Sequence, residues 1–166
     1  MTGRTPALSV DLVRKRIFMM LPRIVSVNIS KGGIPKIPVP SVKLTAAGLD
    51  GDGHNHAKHY SPLQAVCIQD LEQLKALSRD GYTLGPGQAG ENLTVENLDV
   101  NRLPLGTVLR FSGGVILEIS KVRKPCYVMD AISPQLKTDA VDRHGMYAQV
   151  IAGGFLSTGE TISIGG

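Results

Sequence analysis

Short apolar stretches in this chain alternate with polar residues, and each is stopped within a few positions by Gly, Pro, Asn or Asp. That pattern leaves little choice but a sheet of many short strands. Ile24 to Ile29 reads Ile-Val-Ser-Val-Asn-Ile and stops at Ser30-Lys31-Gly32-Gly33. Further strands are expected at Val42 to Leu44, Leu63 to Ile68, Leu93 to Val95, Thr107 to Phe111, Val115 to Val122, Met146 to Ile151 and Thr161 to Ile164. Ser112-Gly113-Gly114 reads as a tight hairpin between two of them. The 19 Gly and 10 Pro among 166 residues supply the turns that so many strands require.

One helix interrupts the strands. Asp70 is placed to cap it, Leu71, Leu74 and Leu77 share a face, and Gly81 ends it. A second helical stretch is expected between Pro134 and Asp142. Leu103 to Phe111 and Leu156 to Ile164 echo one another, each giving a Gly turn before an alternating strand. A closed β-barrel would remove the exposed edges that so many short strands otherwise present.

Length fits one domain. Residues 1–22 read as an N-terminal extension with helical spacing of Leu8, Leu12, Val13, Ile17 and Leu21 around Arg14-Lys15-Arg16, and residues 23–166 as the domain. A basic amphipathic helix could touch a membrane surface, but an extension packed on the domain or frayed is the favoured reading, and no membrane partner is expected. A start at Met19 or Met20 would remove it. The net charge of +4, the scattered basic residues and an aromatic content of 4% without Trp argue against a nucleic-acid platform. No apolar run approaches the ~20 residues that span a bilayer, and no secretory signal is visible. Two cysteines make neither a disulfide framework nor an iron–sulfur centre, so a reducing cytoplasm is the expected compartment.

Three places concentrate chemistry. His54, His56 and His59 lie on a Gly-rich loop, Gly51-Asp52-Gly53-His54-Asn55-His56-Ala57-Lys58-His59. The H-x-H-x-x-H spacing resembles the first metal motif of metallo-β-lactamase-type hydrolases, but Lys58 stands where that motif has Asp and only His144 remains as a further imidazole. The alternatives are a turn whose imidazoles cap backbone, or a loop that receives an anionic group. Gly90-Glu91-Asn92 runs into a strand, which places Glu91 and Asn92 at a strand end or in a solvated turn. Arg123-Lys124-Pro125-Cys126 follows a strand directly, and two cations beside a thiol favour the thiolate, the form that acts as nucleophile and metal ligand. An inert buried cysteine is the alternative at Cys126. Cys67, within Ala65-Val66-Cys67-Ile68, reads as core packing.

Gly51-Asp52-Gly53-His54 with His59, Gly90-Glu91-Asn92-Leu93-Thr94, Arg123-Lys124-Pro125-Cys126, and Gly145-Met146-Tyr147-Ala148 with Gly153-Gly154 and Gly159, in that order, resemble the MOSC domain, named after the C-terminal domain of molybdenum-cofactor sulfurase. The resemblance runs from about Arg23 to Gly166. It implies a mainly β fold, a barrel of the pyruvate-kinase barrel type, with Cys126 as the signature cysteine. That cysteine would either ligate molybdenum in a pterin cofactor, as in members that reduce N-hydroxylated bases and amidoximes, or carry a sulfane sulfur for metal–sulfur centres. Lys31, Arg123, Lys124, His54 and His59 would then neutralise the phosphate of molybdenum cofactor, and Asn92 would donate to the pterin. Lys31 reads equally as a solvated turn residue. The chain shows no pyridoxal-phosphate desulfurase, iron–sulfur or flavin module, so a separate electron-donor protein or sulfur donor is the implied partner. A non-enzymatic sulfur carrier is the second reading, and a zinc hydrolase built on His54, His56 and His59 the third.

Overall fold

The structure, a computed structural model, describes residues 9–53 and 61–165. Eleven strands fall in two sheets. In chain order they are β1 (Arg23–Ile29), β2 (Ile37–Val39), β3 (Ser41–Thr45), β4 (Gly48–Leu49), β5 (Val66–Asp70), β6 (Leu93–Glu96), β7 (Val108–Phe111), β8 (Ile116–Val122), β9 (Met146–Ala152), β10 (Gly154–Ser157) and β11 (Ile162–Gly165). Three helices accompany them, α1 (Val10–Met20), α2 (Leu71–Arg79) and α3 (Leu136–Asp139).

The larger sheet has the order β11-β7-β8-β9-β5-β6-β1-β2, and the smaller β10-β3-β4. All pairs are antiparallel except β5 with β6, which α2 and its following loop join as a parallel crossover. The two echoing segments end up as neighbours, Ile162 opposite Phe111 and Ile164 opposite Leu109.

The fold is mainly β, as the alternation requires, but the large sheet is not closed as a barrel. Its ends approach through one bridge, Arg23 with Thr161, and through backbone bonds such as Ile162 N to Pro22 O at 2.7 Å. The reason lies at the outer edge of β1. There β2 pairs with Val27 to Ile29, leaving only the first residues of β1 to meet the β11 end. Sequence alternation missed β2, which Pro38 interrupts, and β10, which starts at Gly154 directly after Gly153. Leu63 lies in a one-turn 3-10 segment, Pro62–Gln64, rather than in a strand.

Inward residues of the large sheet form the main core. Val27, Val66, Ile68, Leu93, Leu109, Leu117 and Ile119 are each fully buried, which contributes about 1.5–3 kcal/mol apiece for the larger side chains. A second cluster, with Leu74, Leu77, Met129 and Leu136 at its centre, packs α2 against α3 and the 3-10 turn Tyr127–Ala131. Helix α1 buries none of its residues. It is held at its C-terminal end, where Asn97 Nδ2 donates to Met19 O and Leu21 O and the Arg23 guanidinium lies over the Phe18 ring.

Asp70 stands at the start of α2, but its carboxylate makes no capping bond there. Instead Oδ2 accepts from Val100 N at 2.7 Å, while Oδ1 is buried without a partner. Burial, reinforced by Glu72 and Asp99, pushes its pKa from 3.8 to about 7. The folded state therefore holds this proton more tightly than the unfolded chain, so the stability it contributes is full below pH 3.8 and lost as pH rises through about 7. The loss amounts to about 4 kcal/mol at ~1.36 kcal/mol per unit. Asp70→Asn, which mimics the protonated group, is expected to remove this fall. Denaturant unfolding at several pH values checks it: parallel stability curves for wild type and variant would show that Asp70 does not titrate this way.

Candidate functional site

Where β8 ends, the chain passes over the small second core. Met129 is buried there and its N–H donates to Cys126 O at 3.0 Å, which fixes the turn while leaving the Cys126 side chain exposed. Cys126 stands on the rim of a cleft of about 430 Å³ that also takes in Lys36, Asp52, Cys67, Asn92 and Tyr147.

Of the two cations before Cys126, Arg123 turns inward. One Nη donates to Ala89 O at 2.6 Å and the other approaches His144 O at 3.4 Å, so the guanidinium ties the 87–90 turn to the residues entering β9. It lines the cleft beside Cys67 and Tyr147. Lys124 is exposed on the same wall, as is Lys121, which a register shift in β8 sets opposite Tyr147. Lys31 is exposed on the turn after β1; its carbonyl lies 2.1 Å from where a Cβ on Gly53 would be, so the two backbones are in close approach. His54, His56 and His59 lie outside the described residues. In the sequence they follow Asp52 and Gly53, both on the cleft wall.

Asp52 is the hub of that wall. Lys36 Nζ donates to both of its oxygens, at 2.6 and 2.5 Å, Asn92 Nδ2 donates at 2.8 Å, and Ser30 N at 2.9 Å. The Asp52 and Lys36 side chains are only 3% and 12% exposed, so each charge depends on the other. Asn92 is committed on both sides of its amide. Its Oδ1 accepts from Cys67 N at 3.1 Å, and Nδ2 reaches Asn28 O as well as Asp52. Both its hydrogens thus serve the protein, and in this arrangement it acts on the cleft through Asp52.

Behind Asn92, Glu91 is fully buried. One carboxylate oxygen accepts from Gly87 N and from the Thr94 hydroxyl, both at 2.7 Å, while the other has no partner. Burial holds its carboxyl above the usual range. A buried relay, Ser26 to Asn28 to Thr94 to Glu91, connects β1 to the turn that Arg123 grips. His144, almost fully buried, is pushed down to about 2 by burial and the nearby Arg123 charge. Among the described residues no three His, Cys, Asp or Glu side chains are grouped to hold a metal ion.

Cys67 is buried among the core residues, as core packing requires, and it also lines the cleft. It stays out of the apolar cluster that takes its neighbours Val66 and Ile68. Strand alternation sends those two inward and Cys67 to the opposite side, onto the cleft. Across the ladder it pairs with Tyr147, which pairs in turn with Lys121. Burial pushes the Cys67 thiol up, and the Arg123 guanidinium opposes the shift. Tyr147, half-buried, is likewise raised by burial and then by Cys67.

Lys36, Asp52, Cys67 and Tyr147 are thus the cleft residues that sequence reasoning passed over. Asp52 and Tyr147 stood inside quoted motifs, where the neighbouring His and Gly drew the attention. Lys36, between prolines, carries no local signal.

The MOSC domain family matches residues 53–163, and the chain belongs to that family. It is 30% identical over 142 residues to YflK of Bacillus subtilis, a match that covers 80% of this chain and 62% of the length of YflK. In fold it resembles the crystal structure of YuaD from Bacillus subtilis, with a TM-score of 0.73 at 19% identity, covering 87% of this chain and 95% of that one. It also resembles YiiM from Geobacillus stearothermophilus, with a TM-score of 0.73 at 23% identity over 87% and 75% of the two chains. The family is associated with molybdenum cofactor. Among the described residues no helix is long and apolar enough to cross a membrane.

Proposed function

We propose that this MOSC protein binds molybdenum cofactor in the cleft, with Cys126 as its sulfur ligand, and serves as an oxidoreductase component that reduces N-hydroxylated compounds with electrons from a separate protein. The observation that supports it best is an exposed thiol on the rim of a basic cleft inside the family's own domain. A soft thiolate is the donor a metal already held by sulfur prefers. Lys121 and Lys124 are exposed on the same wall, with no ion-pair partner among the described residues, and suit a phosphate. Lys31, whose backbone closely approaches Gly53, would extend that basic edge, as would His54 and His59, which follow Gly53 in the sequence. The residues therefore fit the group.

When bound, the cofactor supplies two-electron chemistry that takes oxygen from an N–OH group. The chain's part is to present Cys126, hold the Asp52–Lys36–Asn92 wall rigid and offer the Tyr147 hydroxyl as a proton donor within the cleft. Arg123 keeps the 87–90 turn closed over this wall.

A sulfur carrier is the second reading, favoured by a second thiol on the same cleft. The zinc hydrolase is the weakest: His144 is buried away from the cleft, and the described residues offer no further ligand group.

Purification from cells that make molybdenum cofactor tests the choice. Wild type is expected to retain molybdenum and pterin, and Cys126→Ala to lose at least about tenfold, since loss of even an outer partner of a metal ligand costs about that much. Equal retention would remove Cys126 as the ligand. Cyanide-labile sulfur without metal would make the carrier reading the right one.

A further inference from the structure

The sequence has two cysteines, on separate elements far apart in the chain, and both open onto one cleft. Both are free thiols, one buried and one exposed. Cys67 is fixed in β5, flanked by strands on both sides and held by its own N–H on Asn92 Oδ1. Cys126 sits at the start of a 3-10 turn in an exposed connection. Tyr147 pairs with Cys67 across the ladder, and Arg123 and Cys126 line the same cleft.

We propose that Cys67 is the resolving thiol of this cleft, attacking a Cys126 sulfur that carries a leaving group and closing a Cys67–Cys126 disulfide. For a sulfur-loaded protein, which rests on the carrier reading above, the leaving group is the outer sulfur of a Cys126 persulfide. The bond formed joins Cys67 Sγ to Cys126 Sγ, and the bond broken is Cys126 Sγ to the outer sulfur. That sulfur leaves with the bonding electrons and takes up the Cys67 proton, departing as hydrogen sulfide. Cys67 is oxidised by as much as the departing sulfur is reduced, so no outside oxidant enters.

The surroundings suit the two parts. The exposed thiol is the one a donor reaches, and the buried thiol is shielded from competing reagents. The guanidinium of Arg123 stabilises negative charge as Cys67 gives up its proton. Disulfide geometry asks for Cα atoms about 5.5–6 Å apart. The exposed Cys126 side chain has room to rotate toward the cleft, while Cys67 is held within β5.

The test uses dithionitrobenzoate on the full chain. Wild type is expected to release about two equivalents of thionitrobenzoate, the second at a rate independent of protein concentration. Peptide mapping without reductant should then show the Cys67–Cys126 disulfide. Cys67→Ser should release about one equivalent and keep the adduct on Cys126 at least about tenfold longer, and Cys126→Ser should react at least about tenfold more slowly from the start. A wild-type adduct as long-lived as that of Cys67→Ser, or a map showing only Cys126 joined between molecules, overturns the proposal, and the wild-type map alone decides this if a variant does not fold. Loading with tetrasulfide separates the two readings. If the disulfide closes with the reagent but Cys126 never holds a sulfane sulfur, the carrier reading fails and the thiol pair stands. If Cys126 loads and keeps its sulfur equally in wild type and Cys67→Ser, the pair fails.

Discussion

Asp52→Ala is expected to destabilise the protein by about 3–5 kcal/mol, the usual effect of removing one partner from a buried ion pair. Its thermal midpoint should fall by roughly 6–20 °C at ~2–4 °C per kcal/mol. The carboxylate is the acceptor for Lys36 Nζ, for Asn92 Nδ2 and for Ser30 N, with its side chain only 3% exposed. Without it the Lys36 ammonium has lost its counter-charge in a largely dry setting, and the Asn92 amide turns toward other partners, loosening its hold on Cys67 N. A second change should repair part of this damage. Lys36→Met removes the stranded charge, so the Asp52→Ala, Lys36→Met double variant is expected to be more stable than Asp52→Ala alone. A double-mutant cycle by denaturant unfolding measures the coupling. A single-variant loss below about 1 kcal/mol would mean that the pair behaves as an exposed one.

Gly145→Ala is expected to be equally severe for a different reason. Gly145 has φ +84°, a left-handed conformation that costs an L residue about 1–2 kcal/mol. A Cβ there would lie 2.1 Å from Ile68 O and 2.6 Å from Gln69 Oε1. The first neighbour is strand backbone, so it cannot swing aside, and Met146 next to it pairs with Ile68 in the β5–β9 ladder. Relief of the clash requires prising that ladder open beside Cys67 and Tyr147. The total should reach about 4 kcal/mol or more, a size reserved for mutations that break packing or backbone geometry. Gly106→Ala is the control, because Gly106 has a similar φ of +87° but no atom within 4 Å of the added Cβ. It should lose only the conformational part. Equal losses at both positions in unfolding experiments would show that backbone strain, rather than the contact with Ile68, sets the effect.

Much of the frame was readable from residue order. Alternation located β7, β8 and β9 because those strands bury one face, an unbroken apolar run located β5, which is buried throughout, and the Leu71, Leu74, Leu77 stripe located α2 because two of those leucines reach the second core. Closure was misjudged because no period in the sequence reports where β2 docks. Asp70 looked like a helix cap since local spacing cannot reveal Val100 N, thirty positions away, as the stronger claimant. The same blindness to distance governs the site. Cys126 announced itself through its charged neighbours, whereas Cys67 looked inert because its flanking Val66 and Ile68 are core residues, and only strand pairing shows which way the thiol faces. Asn92 was legible as a site residue, but its service to Asp52 emerges only when the loop after β4 folds back against the start of β6.

The cleft draws its wall from residues as far apart as Gly33 and Tyr147, stitched together by Asp52, Glu91 and Arg123. No single element holds the complete wall, so full recognition requires β5, β8 and β9 and the turns beside them to be in place. Occupancy and folding are consequently linked, and whatever molecule settles there adds its binding free energy as a clasp on the sheet.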